Sequence, residues 1–335
     1  MTASQRLTLL LCAVLLAAGI FLTLLNGSIL LPAEKKTRFM MDTYVTITVP
    51  GKAIQASRAI DAAFDRMQEI SVKFNSLDPK SPIYAFNHNG TPIVDPEVLD
   101  VVRRGLAVSE ESGGAFDPTV APLLELWGFY AKDLHLPDAE AVRSALSNVG
   151  YRHLVWREGR LDKDAPGVML DLGGLAKGYA LAEAVLVLKG YGVRSALVDA
   201  GGDIFAFGRN GLRPWKVGIR DPRGEGLLGY VEVEDAAVLG SGDYERFFIR
   251  DGKRYHHIVD PRTGYPTDGV ASVTLVCRDP FLGQARSKVP FVLGPGKGME
   301  ILEKIPGVDV IIVLTSGEQR FSRGLTHPFH PWRSE

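Results

Sequence analysis

Cysteine is scarce in this sequence, and its scarcity excludes several classes of protein. Only Cys12 and Cys277 occur in 335 residues. Because Cys12 lies in a hydrophobic N-terminal segment, the rest of the chain has a single thiol and no internal disulfide. Zinc and iron–sulfur sites built from clustered cysteines are excluded as well. Cys277 ends an apolar run that starts at Val273, so we predict that it is buried in a strand.

An excess of charge of either sign is also missing. The sequence has 38 Lys and Arg against 39 Asp and Glu, which leaves a formal net charge of −1 at pH 7. A chain with this balance offers no broad surface to nucleic acid or another polyanion, so no nucleic-acid partner is expected. Internal repeats and low-complexity tracts are absent too. The length suits one large domain or two smaller ones.

One long hydrophobic run is present, at the N-terminus. Leu7 to Leu25 is uncharged, and as a helix it would cross most of a bilayer core. It predicts either a cleaved signal peptide or an uncleaved signal anchor. We favour the anchor, because the run is long and no small-x-small cleavage site follows it. A lipoprotein is a weaker alternative, since Leu11 precedes Cys12 where a small residue is usual. We assign residues 1–31 to this hydrophobic helix, 32–37 to a linker and 38–335 to one folded domain.

The periodicity of apolar residues predicts a domain of the α+β class, because strands and helices occur without strict alternation. Helices are predicted over Ala53–Phe74, Pro96–Ser112, Asp138–Leu146, Leu175–Lys189, Leu282–Val292 and Lys297–Lys304. Strands are predicted over Tyr44–Val49, Val168–Leu170, Ser195–Val198, Trp215–Ile219, Leu228–Val233, Phe247–Arg250, His256–Val259, Ser272–Val276 and Asp309–Leu314.

The stretch from His256 to Pro266 is dense in chemically active side chains. It contains two imidazoles, a carboxylate, a guanidinium and a hydroxyl, from His256, His257, Asp260, Arg262 and Thr263. A surface turn would explain its Asp-Pro and Thr-Gly pairs, which are turn formers, but not its two histidines. The stretch therefore predicts a functional loop. We expect His256, on the opposite side of the chain from His257, to be an exposed histidine.

A second candidate site is the glycine-rich turn from Asp171 to Gly178, which opens a predicted helix. Helix N-termini present free N–H groups and a partial positive charge that suit phosphate, and Lys177 adds a full charge. Gly173 and Gly174 would let a ligand approach the backbone closely. The turn matches neither the Walker motif nor the dinucleotide-binding fingerprint. A tight strand-to-helix turn with a solvated lysine is the alternative interpretation.

Five motifs follow one another along the chain. They are Gly113-Gly114-Ala115-Phe116-Asp117-Pro118-Thr119 (with Leu126-Trp127-Gly128-Phe129 after it), Asp171-Leu172-Gly173-Gly174-Leu175-Ala176-Lys177-Gly178-Tyr179, Ala200-Gly201-Gly202-Asp203-Ile204, Ser241-Gly242-Asp243-Tyr244-Glu245-Arg246, and His256-His257-Ile258-Val259-Asp260-Pro261. In content and order they resemble hallmarks of the ApbE family, the FAD:protein FMN transferases. The resemblance runs from about residue 40 to residue 313. It implies a single T-fold-like α+β domain with a mixed sheet framework and surrounding helices, preceded here by the hydrophobic helix.

The resemblance also implies site residues, each with a simpler alternative. It places Met41, Ala115, Phe116, Asp117, Asp171, Lys177 and Ile258 against FAD. Core packing alone would explain Met41, Phe116 and Ile258, and a turn before Pro118 would explain Asp117. The family holds Mg²⁺ partly through the backbone carbonyl at the position of Gly174. His257 is the natural candidate for the base that deprotonates the acceptor hydroxyl, because the ordinary pKa of histidine lies near working pH.

Several positions depart from the family pattern, and two of them concern the metal. The family places an Asp and a Thr or Ser four residues apart as Mg²⁺ ligands, where this chain has Gln284 and Lys288. Mg²⁺ prefers hard oxygen ligands, and an ammonium repels it. We predict that Lys288 takes over part of the charge neutralisation. Smaller departures are Leu77 in place of a stacking Tyr or Trp, Gly240 in place of Thr, and Ala182 in place of Asp.

The function expected from the resemblance is transfer of FMN from FAD to a Thr or Ser of a partner flavoprotein of an electron-transfer system. A non-catalytic FAD-binding module and an FAD pyrophosphatase are the alternatives. We expect the domain to be held at the cell inner membrane by the N-terminal segment and to face the periplasm or the cell exterior. If the segment is cleaved, we expect secretion.

Overall fold

The computed structural model describes residues 33–51 and 55–332. The predicted signal peptide or anchor at residues 1–31 lies outside the described residues, and so does the hydrophobic helix expected there. Within the described ranges, no helix is both long enough and apolar enough to cross a membrane.

The described chain contains both strands and helices throughout. The strands are β1 (Ala33–Met40), β2 (Thr43–Pro50), β3 (Leu154–Arg157), β4 (Arg160–Lys163), β5 (Ala196–Ala200), β6 (Asp203–Phe207), β7 (Trp215–Arg220), β8 (Leu227–Val233), β9 (Ala236–Gly242), β10 (Phe247–Arg250), β11 (Lys253–His256), β12 (Val270–Cys277), β13 (Asp309–Leu314), β14 (Gln319–Phe321) and β15 (Phe329–Pro331). The α-helices are α1 (Ala56–Lys73), α2 (Pro82–Asn89), α3 (Pro96–Glu111), α4 (Ala121–Leu126), α5 (Ala139–Leu146), α6 (Gly173–Gly190), α7 (Pro280–Arg286), α8 (Val289–Leu293) and α9 (Pro295–Leu302).

An eight-stranded sheet forms the framework of the domain. Its strand order is β1-β2-β5-β6-β9-β12-β13-β14, and neighbouring strands run antiparallel. The predicted α+β class is confirmed. The sheet that forms is antiparallel, whereas a mixed sheet was expected. The helices α1 to α6 lie between β2 and β5 in the chain, and these two strands pair antiparallel. Helices in that position do not serve as crossovers between parallel strands.

Both faces of this sheet are covered. The main hydrophobic core joins α1 and α6 to one face, and it includes Phe64 and Leu181 from the helices and Ile47 and Val198 from the strands. On the other face, the smaller sheet β15-β8-β7 contributes Trp215 to a second core. All eight residues of β12 are buried, as its central position requires. Cys277, at its end, is buried as predicted.

Residues 33–37, which we expected in a linker, belong to the sheet. They form the first part of the edge strand β1, which pairs with β2 from Ala33 opposite Pro50 to Met40 opposite Thr43. Lys36 Nζ lies 2.6 Å from an Asp61 carboxylate oxygen, so the basic side chains are anchored on α1. Charged residues are common on edge strands, and here they obscured the apolar pattern.

Three other predicted elements differ from the structure. Residues 168–170 form no strand. The helix expected over residues 282–292 is divided into α7 and α8 at Ser287 and Lys288, because Pro290 cannot continue a helix from before it. The strand expected over residues 256–259 is β11, which ends at His256. As a result, His257 and Ile258 lie beyond the strand in a loop.

Candidate active site

The predicted site residues line one cavity of about 1090 Å³. They come from the β1–β2 turn, the segment after α3, the N-terminus of α6, the loop after β11, and the region of α7. All are in its lining: Met41, Ala115, Phe116, Asp117, Asp171, Gly174, Lys177, His257, Ile258, Gln284 and Lys288. Since these segments are far apart in the sequence, the fold itself assembles the cavity.

One part of the lining is apolar. Ala115, Phe116 and Ile258 are buried and belong to hydrophobic clusters of the core. Phe116 packs so closely on the start of α6 that a Cβ at Gly174 would lie 2.9 Å from its ring. Residue 174 must therefore be a glycine, because the Phe116 ring leaves no room for a side chain there. The Phe116 ring thus packs in the core. Leu77, at the position of the family's stacking aromatic residue, is 50% exposed at the cavity.

Asp117 holds the backbone around the cavity. Its carboxylate accepts hydrogen bonds from the Thr119 N–H at 2.8 Å, the Thr119 hydroxyl at 2.5 Å and the Tyr151 N–H at 2.7 Å. Burial raises the pKa of this carboxyl group, and the same hydrogen bonds oppose the rise. The turn role of Asp117 is thus present, and its contact with FAD stays a prediction.

Asp171 is fixed from two sides at the entrance of α6. One carboxylate oxygen accepts the Gly173 N–H at 2.5 Å, and the other accepts the Tyr130 hydroxyl at 2.5 Å. Burial, followed by the nearby Asp171 charge, raises the pKa of Tyr130 well above 10.0. Tyr130 therefore remains a hydrogen-bond donor at neutral pH and orients Asp171 towards the cavity, which both residues line.

The charged part of the cavity is centred on Asp203 at the start of β6. Lys177 Nζ lies 2.6 Å from Oδ2 of Asp203, whose side chain is only 3% exposed. The Gly240 N–H donates to Oδ1 at 3.0 Å, and the Gln284 amide donates to Oδ2 at 3.4 Å. One buried carboxylate is thus shared by a lysine, an amide and a backbone N–H.

Lys288 lies beside this group but has only neutral hydrogen-bond partners. Its ammonium donates to the backbone carbonyl of Gln284 at 2.7 Å and to the Ser287 hydroxyl at 3.3 Å. Burial, opposed by the Asp203 charge and assisted by the Lys177 charge, lowers the pKa of Lys288 to about 8. At pH 7 the ammonium form still predominates, so the cavity contains two lysine charges against one carboxylate at this end.

The residues at the family's metal positions do not fit Mg²⁺. The side-chain oxygen of Gln284 accepts the Gly178 N–H at 2.8 Å, and its NH₂ group is directed at Asp203. Lys288 brings a positive charge where the family has a hydroxyl. Among the described residues, no group of three or more His, Cys, Asp or Glu side chains could hold a metal ion. Gly174, Gln284 and Lys288 line the cavity together, but Gln284 and Lys288 are not a donor set for a hard divalent cation.

His257 has the environment of a neutral base. Its backbone N–H donates to the Arg246 carbonyl at 3.0 Å, and its ring contacts Phe129 edge-on. Its Nδ1 is buried and has no hydrogen-bond partner in the described chain. Burial, with help from the Arg246 charge, lowers the pKa of His257 well below 6.5. An imidazole in this state can accept a proton at neutral pH.

The other polar side chains of the predicted functional loop hold the loop in its conformation. His256 is 2% exposed, which overturns our expectation of an exposed histidine. Its Nε2 is 2.9 Å from the Thr267 carbonyl, and its Nδ1 accepts the Ile258 N–H at 3.3 Å, so it holds the loop in place. Arg262 donates to both carboxylate oxygens of Asp260 and also to the Val292 carbonyl. These charges stabilise the loop that presents His257.

Sequence reasoning assigned no role to Asp203, Tyr130 or Arg246, although all three line the cavity. Asp203 could have been found, because a carboxylate directly after Gly201-Gly202 at a strand end is a typical ligand-site pattern. Nothing in the sequence around Tyr130 indicates its hydrogen bond to a residue 41 positions away.

The chain is similar in sequence and structure to known proteins. The model of the ApbE family matches residues 41–312. A FAD:protein FMN transferase from Treponema pallidum is 35% identical over 297 residues, which cover 82% of each chain. The crystal structure of an ApbE protein from Thermotoga maritima superposes with a TM-score of 0.82 at 36% identity, covering 87% of this chain and 97% of that one. The apo flavinyl transferase ApbE from Pseudomonas stutzeri gives 0.78 at 30% identity, covering 87% and 95%. The chain belongs to the ApbE family.

Proposed function

We propose that this protein is a FAD:protein FMN transferase, which attaches FMN from FAD to a Thr or Ser of a partner flavoprotein and releases AMP. Its relatives bear that name. The observation that carries the proposal is one cavity whose lining brings together the His257 imidazole, a lysine-rich end and an apolar wall. The cavity volume of about 1090 Å³ suits a large cofactor.

The transfer is a phosphoryl substitution. The acceptor hydroxyl oxygen attacks the phosphorus on the FMN side of the pyrophosphate, and a new P–O ester bond forms. The bridging P–O bond breaks, and AMP leaves with the bridging oxygen on its phosphate. The imidazole of His257, which lines the cavity, takes the proton of the hydroxyl. Such a reaction depends chiefly on positioning and on neutralising charge on the phosphoryl oxygens.

The residues of this chain divide these tasks. The N-terminus of α6 and Lys177 favour the pyrophosphate, since both supply positive potential. Phe116 and Ile258 provide apolar contacts of the kind that a flavin ring needs. Tyr130 orients Asp171 at the same entrance. The positive groups are thus assigned to the pyrophosphate of FAD, and the apolar side chains are assigned to its flavin ring.

The acceptor and the location are proposals from the sequence alone. We propose as acceptor a flavoprotein of an electron-transfer system, and a domain held at the inner membrane by residues 1–31 and facing the periplasm or exterior. Cleavage of that segment would make the domain a secreted protein. A non-catalytic FAD-binding module is the second candidate function, because Gln284 and Lys288 replace the family's metal ligands.

One experiment separates the candidate functions. The full chain is incubated with FAD and a flavin-free flavoprotein subunit that normally carries phosphoester-linked FMN, and acceptor mass and free AMP are measured. A mass gain equal to FMN, with equimolar AMP, supports transfer. FAD binding with neither product supports the binding module. AMP and FMN released without acceptor indicate a pyrophosphatase and contradict transfer.

A further inference from the structure

The charged end of the cavity has an excess of positive charge. Lys177 is neutralised by Asp203 at 2.6 Å, while Lys288 lies at the same cavity wall. Among the residues that the structure describes, no carboxylate lies within ion-pair distance of the Lys288 ammonium, and its two hydrogen bonds go to a carbonyl and a hydroxyl. An ammonium has three N–H donors, so one remains for a ligand.

A partly buried cation without a counter-charge is unfavourable unless something neutralises it. Lys288 is partly buried, and the groups around its ammonium are neutral apart from Asp203 and Lys177. Asp203 is already bonded to Lys177, Gln284 and the Gly240 N–H. An anion that enters the cavity would therefore be stabilised by the residual charge of Lys288.

The N-terminus of α6 also favours an anion in the cavity. The helix has 18 residues, its N-cap residue Leu172 makes no capping hydrogen bond, and the Asp171 carboxylate accepts the N–H of Gly173. Gly174, in its first turn, and Lys177, one turn further, both line the cavity. The positive end of the helix dipole favours an anion here. Lys288, with no ion-pair partner, and the helix terminus thus add to Lys177, which Asp203 already neutralises, in favouring the negative charge of a pyrophosphate diester.

We propose that Lys288, together with Lys177, binds the pyrophosphate of FAD directly, so that FAD binding in this protein needs no divalent cation. The proposal rests on FAD being the ligand, as in the proposed function. Gln284 supports it, because its side-chain amide donates to Asp203, the partner of Lys177, while its backbone carbonyl accepts from the Lys288 ammonium, so one residue connects the two lysines. An ammonium can bind phosphate oxygens as a point charge.

The first test measures FAD affinity of the unmodified full chain by titration calorimetry, once with EDTA and once with excess Mg²⁺. The expected result is a dissociation constant that differs by less than about twofold, since no interaction passes through the metal. A loss of affinity of roughly tenfold or more in EDTA, the scale of one lost charged interaction, overturns the proposal.

The second test replaces the lysine. Lys288→Met retains the length of the side chain and removes the partly buried charge, so the fold should be kept, as a circular dichroism spectrum can check. FAD affinity in EDTA should fall roughly 10- to 100-fold, the scale of a charged hydrogen bond. Lys297→Met, which removes an exposed lysine of α9 outside the cavity, is the matched control and should leave affinity unchanged. Equal affinity of the Lys288→Met variant and the control would overturn the proposal.

The double variant Gln284→Asp with Lys288→Thr tests whether a requirement for Mg²⁺ can be introduced. It restores oxygen donors at both positions, so FAD binding should become sensitive to EDTA.

The outcomes for this proposal and for the proposed function are distinct. Cation-independent FAD binding without FMN on the acceptor contradicts transfer alone. FAD binding and transfer that both need Mg²⁺ overturn this proposal alone. No FAD binding under either condition overturns both.

Discussion

Two adjacent histidines show how far neighbouring residues can differ in role. His256 has partners for both ring nitrogens and is 2% exposed, so its imidazole is part of the framework. His257 lines the cavity, and its Nδ1 has no partner within the described chain. A buried nitrogen without a partner is costly and is retained chiefly where function needs it. We therefore place the base at His257.

Replacing His257 tests this role. His257→Ala should lower the rate of FMN transfer by roughly 10²- to 10⁴-fold, because general base catalysis contributes about that much, and should change FAD affinity far less. Because its pKa is lowered from 6.5, His257 stays unprotonated as the pH falls through 6.5, and the rate should decrease only at lower pH. Rates and FAD affinities are measured in parallel, with His330→Ala on β15 as the control. Equal losses of rate and affinity would indicate a binding role.

Lys177 is predicted to act on binding and on stability at once. Lys177→Met should weaken FAD binding by ~1–3 kcal/mol, the usual scale for a charge-assisted hydrogen bond. It should also lower the free energy of unfolding, because Asp203 loses its partner while 97% of its side chain is inaccessible (3% exposed). Adding Asp203→Asn should restore stability but not FAD affinity. Calorimetry and denaturant unfolding measure the two quantities, and unchanged FAD affinity in Lys177→Met would contradict the assignment.

Among the elements, α6 and α7 are the pair that forms the charged end of the cavity. They pack closely because Gly178 has no side chain: a Cβ there would lie 2.2 Å from the Pro280 carbonyl oxygen. That approach is what allows Gln284 to accept the Gly178 N–H. The glycine of the Lys-Gly-Tyr motif is thus required by packing between two helices and, through Gln284 and Lys288, by the site.

Two glycines of α6 provide a matched pair of substitutions. Gly178→Ala should destabilise the protein by about 1–3 kcal/mol, because α7 must shift, and should weaken FAD binding as Gln284 moves. Gly190→Ala, at the end of the same helix with nothing within 4 Å of the new methyl group, should be neutral or stabilise by up to about 1 kcal/mol. Thermal unfolding and FAD titration measure both effects. Tolerance of Gly178→Ala would show that the helices have room to separate.

The β1–β2 hairpin places a strained turn at the cavity. Its two-residue loop is Met41-Asp42, and both residues have positive φ, 53° and 58°. The β10–β11 hairpin uses the same geometry with Asp251-Gly252, a sequence that suits it far better. Because Met41 lines the cavity, the unfavourable conformation lies where a ligand is expected, which is a common location for backbone strain.

Substitutions at Asp42 test that strain. Asp42 is exposed, so Asp42→Gly removes no packing and should raise the free energy of unfolding by ~0.5 kcal/mol. Asp42→Ala should lower it by about as much, because alanine tolerates a left-handed conformation less well than aspartate. Denaturant unfolding of both variants gives the comparison. If the alanine variant were the more stable of the two, the turn would not have this conformation in solution.

At the scale of the whole molecule, the sequence predicted those strands whose apolar residues alternate or run together. β2, β7, β8, β10 and β13 lie where expected, within about a residue at each end. β6 and β9, in the middle of the sheet, were missed. β6 follows a Gly-Gly turn directly, and β9 consists mainly of Ala, Gly and Ser, which have little preference for strands. Their conformation is fixed by neighbouring strands, which local sequence does not reveal.

The same limit applies to the site. The resemblance identified which residues meet in the cavity, but the partners of each residue depend on distant parts of the chain. Gln284 meets Asp203 across 81 positions and Gly178 across 106. The burial of His256 likewise follows from the packing of Phe291 and the Thr267 carbonyl against it. Tertiary contacts of this kind decide charge and protonation, and they could not be read from local patterns.

The cavity is enclosed by elements from both halves of the chain, so a bound ligand should oppose unfolding of the domain as a whole. Its lining extends from Phe39 on β1 to Val292 on α8. A ligand that binds only the folded state stabilises it by RT ln(1 + [L]/Kd), about 2.7 kcal/mol at a hundredfold excess over Kd. FAD at that concentration should therefore raise the midpoint of thermal unfolding by about 4 °C, because an unfolding entropy of about 2.1 cal/mol/K per residue amounts to about 0.6 kcal/mol/K for a domain of this size.

Circular dichroism at far-ultraviolet wavelengths can follow this transition without interference from flavin fluorescence. AMP alone, which lacks the flavin and half of the pyrophosphate, should give a smaller increase at the same concentration because it spans only part of the cavity. The Lys177→Met variant should show a reduced shift with FAD, since its Kd is larger and the ratio [L]/Kd is smaller. A shift that is equal for FAD and AMP would place the flavin outside the cavity. No shift at all, at FAD concentrations that saturate binding, would mean that FAD binds folded and unfolded chains alike, which a cavity assembled from distant segments does not allow.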